Sequence, residues 1–133
     1  MADRHAARRL ARSPRAPALA RDFLTEMCQQ WDATPLLDSG ALAVSELVTN
    51  AVVHARSDMR MTLRWDGDVL TVGVHDGNRA LPVVAPPERR GVFGGRGLVM
   101  VERMAQSRGV TPDSAGKTVW CRLAAQVAFP SAG

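Results

Sequence analysis

Residues 45–55, S-E-L-V-T-N-A-V-V-H-A, decide how the rest of the chain is read. Val44, Leu47, Val48, Ala51, Val52 and Ala55 recur at i, i+3, i+4, i+7, i+8 and i+11. That is the apolar stripe of an amphipathic helix facing a core. The pattern predicts a helix from about Ser39, capped by Asp38 or Ser39. Glu46 and Asn50 are four residues apart, so they stack on one face beside the stripe, at the edge of a core. On this helix alone two readings stay open: an ordinary surface pair at i,i+4 spacing, or a polar pair placed for chemistry.

The chain of 133 residues is about the size of one domain and long enough to bury a core. Its apolar fraction of 46% is ordinary for a globular protein. No uninterrupted apolar run reaches the ~18–20 residues of a membrane span, and no apolar segment follows the charged N-terminus as in a secretory signal. Neither a membrane nor export is therefore expected, and the cytoplasm is the expected compartment. Cys28 and Cys121 are then expected as reduced thiols. Charge is uneven. Residues 1–21 carry Arg4, Arg8, Arg9, Arg12, Arg15 and Arg21 against Asp3, while the remainder, with 11 basic and 12 acidic residues, is near neutral. A basic arm can serve nucleic acid, an acidic protein or solvent. Scarce aromatics and the lack of a groove-reading motif argue against direct nucleic-acid binding. The histidines lack the Cys/His spacing of a zinc site, so no structural metal is expected.

In chain order, residues 1–14 read as a basic arm or a short strand. Residues 15–125 read as a single domain and 126–133 as a tail. Ser13-Pro14 signals a helix start, and Leu19, Ala20, Phe23, Leu24, Met27 and Trp31 form one apolar face of a first helix ending near Trp31. Thr34-Pro35 breaks that helix. After the second helix, Met59, Met61, Leu63 and Trp65 alternate with polar residues, a half-buried strand, and Asp66-Gly67 signals a hairpin. On the return strand Leu70, Val72, Val74 and Asp76 share a face. A carboxylate on an apolar face needs a partner. Alternatively the strand ends at His75 and Asp76 merely opens the turn. Residues 77–93, with Pro82, Pro86 and Pro87, form a long loop of the kind that often serves as a lid. It leads into Gly94-Gly95-Arg96-Gly97-Leu98 and a helical pattern at Leu98, Val101, Met104 and Ala105. Glycines opening a helix make an anion site, or equally a hinge. Two further strands, at about 109–112 and 117–124, are joined by a turn at 113–116. Val119, Cys121 and Leu123 share a face of the last strand.

E-x-x-x-N on a helix, Asp at a strand end, then a Gly-rich loop into a helix: in that order these features resemble the GHKL, or Bergerat-fold, ATPases. Within that superfamily the short chain looks most like the stand-alone anti-sigma-factor serine/threonine kinases of bacteria. E-L-V-T-N-A-V-V-H-A is similar to their first box, G-G-R-G-L to their glycine box and G-K-T-V-W to their last strand. The resemblance implies an α+β two-layer sandwich, a mainly antiparallel sheet with helices packed on one face. It implies ATP with Mg²⁺. Asn50 would be the Mg²⁺ ligand, and Glu46 would be the catalytic group that orients or deprotonates the attacking hydroxyl. Asp76 would accept a hydrogen bond from the adenine amino group. Gly94, Gly95, Arg96, Gly97, Leu98 and Thr118 would complete the nucleotide site. The implied partners are a sigma factor and an antagonist protein, with a homodimer left open.

The sequence departs from the family pattern in two places. The second box, usually D-x-G-x-G, reads Asp76-Gly77-Asn78-Arg79-Ala80, and Lys117 stands where Thr usually follows Gly. Both departures fall on the adenine side. They keep alive a non-catalytic partner-binding adaptor. The ATPase half of a split histidine kinase is the other alternative, disfavoured because the chain holds no phospho-acceptor helix pair.

Overall fold

The computed structural model describes residues 3–78 and 105–124. Among the described residues five strands and two main helices follow from the sequence as β1 (Arg4–Leu10), α1 (Ala16–Gln30), α2 (Leu37–Asn50), β2 (Met59–Trp65), β3 (Val69–Asp76), β4 (Ser107–Asp113) and β5 (Gly116–Ala124). The strands form one sheet in the order β1-β2-β3-β5-β4, and every neighbouring pair is antiparallel. Both helices pack on one face, so the expected two-layer α+β sandwich is the fold.

The period-2 pattern sets the inner face. Met59, Met61, Leu63 and Trp65 of β2 and Leu70, Val72 and Val74 of β3 are buried, joined by Cys121 and Leu123 of β5. Above them α1 lays Ala16, Ala20, Phe23, Leu24 and Cys28, and α2 lays Gly40, Ala43, Val44, Leu47 and Val48. The helices approach closely at Gly40, where a Cβ would lie 3.1 Å from Leu24 Cδ2. Burial pushes the thiols of Cys28 and Cys121 up to about 11 and about 12, so both are inert core groups at neutral pH. The Asp66-Gly67 hairpin forms as expected: Gly67 takes φ 102°, and Asp66 Oδ1 accepts the N–H groups of Asp68 and Val69 at 2.9 and 2.7 Å.

Several boundaries differ from the sequence reading. Residues 4–10 are a strand: Leu10 is buried against Met59, and Arg8 lies over the Phe23 ring, 4.6 Å from its centroid. Helix α1 starts at Ala16, with Ser13 Oγ accepting the Arg15 N–H, and Leu19 is 45% exposed rather than on the apolar face. Neither Asp38 nor Ser39 caps α2. A short 3₁₀ turn at Thr34–Leu36 feeds directly into Leu37, and the Ser39 hydroxyl donates back to the Leu36 carbonyl. The α-helical part ends at Asn50, and a π turn, Ala51–Ala55, closes with Arg56 in the left-handed region at φ 54°. Strand β3 includes Asp76, which overturns the alternative that the strand ends at His75. Residues 34–55 are long and apolar enough to cross a membrane by length and composition. Here they divide into a 3₁₀ turn, α2 and the π turn, with the stripe of α2 in the core.

Candidate functional site

Helix α2 carries Glu46 and Asn50 one turn apart, both half-buried. Asn50 is the last α-helical residue, immediately before the π turn. Such turns widen the backbone spiral locally and recur at functional sites. Within the described chain neither side chain is hydrogen-bonded. Partial burial pushes the Glu46 carboxyl above its ordinary range, because less water solvates its charge. A carboxylate and an amide oxygen, unpartnered and on one helix face, are a hard-oxygen donor set suited to Mg²⁺ and to a hydroxyl proton. Among the described residues no group of three or more His, Cys, Asp or Glu side chains gathers as a metal cage.

The end of β3 is built the opposite way. The period puts Asp76 on the inner face, where it is 3% exposed. The register sets Lys117 of β5 directly across from it. Lys117 Nζ donates to Asp76 Oδ1 at 3.0 Å and to the Asn78 carbonyl at 2.7 Å. The same Oδ1 accepts the Asn78 N–H at 2.8 Å. Each charge therefore has the other, plus backbone partners, which is what makes burial of both tolerable. Gly116 is required beside this pair. Its φ is +154°, and a Cβ there would collide with the Asp76 carbonyl.

Side chains join this corner to the end of α2. Asn78 Nδ2 donates to the His54 carbonyl of the π turn at 3.4 Å, and Ser57 Oγ accepts the Gly77 N–H at 2.8 Å. Arg12 closes the other side, its Nε donating to the Val52 carbonyl at 3.0 Å and its N–H to Asp58 at 2.9 Å. The Glu46–Asn50 helix and the Asp76 strand end are thereby tied through residues 51–58.

Thr118 lies elsewhere. It pairs with His75 and, with Thr62 and Trp120, neighbours Gly73 on the outer face of the sheet, away from Asp76. The side chain that reaches Asp76 is that of Lys117. Sequence reasoning noticed this lysine only as a departure and missed its partner. The signal was present: Lys117 shares its phase with Val119, Cys121 and Leu123, so alternation places it on the inner face. Gly94, Gly95, Arg96, Gly97 and Leu98, and all but Gly77 and Asn78 of the loop at 77–93, lie outside the described residues.

The model of a family described as a histidine kinase-like ATPase domain matches residues 10–123. A search of curated proteins finds no match. The match takes in both helices, β2, β3, β4 and nearly all of β5, together with Glu46, Asn50 and Asp76, and the chain belongs to the histidine kinase-like ATPase domain family.

Proposed function

We propose that the chain is an ATP-binding anti-sigma factor with serine/threonine kinase activity, acting in the cytoplasm on a sigma factor and its antagonist protein. ATP binding, typically with Mg²⁺, is what the family implies. The observation that carries the catalytic reading is the unpartnered Glu46–Asn50 pair at the π turn. Asn50 would supply an amide oxygen to the metal. Glu46, with its carboxyl raised by burial, is a stronger base than a solvated glutamate and would take the proton of the attacking hydroxyl. Asn50 would hold the metal, which would supply charge neutralisation at the phosphates when bound with ATP, and positioning by the chain would do the rest of phosphoryl transfer. The sigma-factor role is supported by the resemblance of E-L-V-T-N-A-V-V-H-A and G-G-R-G-L to the boxes of the stand-alone kinases.

One observation favours a second reading. Asp76 Oδ1 already serves two donors of its own chain, as expected of a partner-binding adaptor whose nucleotide site has decayed. Calorimetric titration with Mg·ATP separates the two. Binding in the micromolar range supports the kinase. No heat and no thermal shift at millimolar ATP establishes the adaptor. Labelled phosphate transferred from ATP to a Ser or Thr of a protein co-purified from the native cell would complete the case.

A further inference from the structure

Helices α1 and α2 cover the inner face of the sheet. The outer face is basic, and the strand register orders its cations. Arg9 lies directly across from Arg60, and Arg60 from His75, one row over β1, β2 and β3. Four residues away along the same strands, His5, Arg64 and Thr71 form a second row, which Arg122 of β5 extends. Four residues of strand span about 13 Å, so the two rows stand that far apart. Between them the register aligns Ala7, Thr62 and Gly73, a floor of small residues that ends at Trp120.

Two features of this face have no use within the fold. The first is charge. Like charges directly opposite one another weaken an antiparallel pair. Yet Arg9 and Arg60 face each other, both exposed, and neither side chain is hydrogen-bonded or ion-paired among the described residues. Asp3 and Asp113, at strand ends, are already engaged: Asp3 holds Arg64, and Asp113 Oδ2 lies 3.0 Å from His75 Nε2. The second feature is Trp120. Its Nε1 donates to Thr111 Oγ1 at 3.2 Å, and its indole lies over Gly109, where a Cβ would come within 2.5 Å of Cζ2. Glycine at 109 thus seats the ring on β4 and leaves it half-buried rather than covered. Indole and guanidinium groups are the side chains that most often dominate protein–protein contacts.

We propose that the outer face of the sheet is a docking surface for an acidic amphipathic α-helix of a partner protein. Such a helix is about 10–12 Å across, which matches the width between the two rows. Lying across the strands, it sets carboxylates against Arg9 and Arg60 on one flank and against Arg64 and Arg122 on the other. Its apolar stripe then meets Trp120 and the small floor. Nucleic acid fits less well. Single-strand binders stack successive bases on several aromatic side chains, and among the described residues this face has one. A second copy also fits less well, because a two-fold contact would set the same cations against each other. The surface lies on the other side of the sheet from Glu46 and Asn50, so the inference stands apart from the nucleotide reading.

The test titrates the isotope-labelled full chain, at low salt, with a synthetic amphipathic helical peptide carrying Glu on both flanks of a Leu stripe. The indole signal of Trp120, identified by its loss in Trp120→Phe, should move, while those of Trp31 and Trp65 stay in place. Arg9→Gln with Arg60→Gln should weaken binding by about tenfold or more with no loss of stability, because the two arginines repel each other in the free protein. The same peptide with Gln in place of Glu should not bind. A peptide that leaves Trp120 unmoved overturns the inference. So does one that binds the folded double variant as tightly as wild type. If the double variant does not fold, the Trp120 signal decides. Tighter binding of oligothymidylate through Trp120 and the same arginines overturns it in favour of nucleic acid. A dimer of the free chain that Arg60→Gln dissociates overturns it in favour of a second copy.

Discussion

Glu46 and Asn50 on α2 and Asp76 and Lys117 on β3 and β5 are both polar pairs set against the same core, yet they are held in opposite ways. The helix pair is half-buried and makes no hydrogen bond within the described chain. The sheet pair is almost fully buried, with a 3.0 Å ion pair reinforced by the backbone of Asn78. Burial explains the contrast. At the helix pair water still solvates the groups, so leaving them unpartnered costs little. At the sheet pair water is excluded, so each charge must be satisfied internally. The helix pair is then free to engage a ligand, while the sheet pair supports the fold first. Substitutions should separate the two.

The largest effect is expected at the helix pair, and on chemistry. Glu46→Ala should lower phosphate transfer by ~10²–10⁴-fold while Mg·ATP binding stays near normal, the usual contribution of a general base. Asn50→Ala should reduce Mg²⁺-dependent ATP affinity and transfer together. Both variants should remain folded, because neither residue belongs to the buried stripe. Binding and transfer measured side by side check this. Equal transfer by Glu46→Ala and wild type removes the base assignment. Unfolding of both variants would show the pair to be structural after all.

The sheet pair should answer the other way, through stability. Lys117→Met or Asp76→Ala leaves one buried charge unpaired and should cost about 3–5 kcal/mol in urea unfolding. Asp76→Leu combined with Lys117→Met removes both charges and should recover most of that loss, as replaced buried pairs often do. A double mutant no more stable than either single would show that the corner depends on its charges for more than mutual neutralisation.

A pH series sharpens the contrast further. The folded Glu46 carboxyl titrates above its ordinary value of 4.5, so the native state holds this proton more tightly than the unfolded chain does. Stability from this group is therefore full below 4.5 and declines as pH rises through the folded value. Glu46→Gln should flatten that decline. In transfer assays the acid limb should sit above the ordinary glutamate range and vanish with the same substitution. A limb at the ordinary value would mean that the group is solvated in the working state.

Much of this layout is legible in the sequence. Alternation in 59–65 and 69–76, the Asp66-Gly67 turn and the stripe around Val44, Leu47 and Val48 each report burial directly, because one face is apolar and the other is not. Asp76 is found on the inner face by the same phase. Three features escape that logic. Strand β1 carries Arg4 and Arg8 on its inward phase, so no apolar alternation marks it; an edge position lets Arg8 cover Phe23 instead. The π turn after Asn50 leaves the i+3/i+4 spacing of Ala51 and Ala55 intact and is silent in a periodicity count. The Lys117–Asp76 contact spans 41 positions and needs strand register, which no local pattern supplies.

The smallest expected effect extends the contrast between partnered and unpartnered charge to the arginines near the N-terminus. Arg12 is hydrogen-bonded to the Val52 carbonyl and to Asp58, and Arg8 sits over Phe23 near Glu26, so these two hold β1 and the π turn in place. Arg4 and Arg9 are exposed and make no side-chain hydrogen bond or ion pair within the described chain. Deleting residues 1–12 would remove an edge strand and buried Leu10, confusing folding with recognition. Arg4→Gln with Arg9→Gln keeps the strand and removes charge alone. Stability should change by less than ~0.5 kcal/mol, as for surface substitutions generally. Association with an acidic partner protein should slow severalfold at low salt and converge with wild type at high salt, because peripheral charges act mainly on the encounter rate. Stopped-flow association across a salt series reads both quantities. A stability loss of several kcal/mol would place these arginines with Arg8 and Arg12. Loss of a steeply salt-dependent affinity for duplex DNA would assign them to nucleic acid instead.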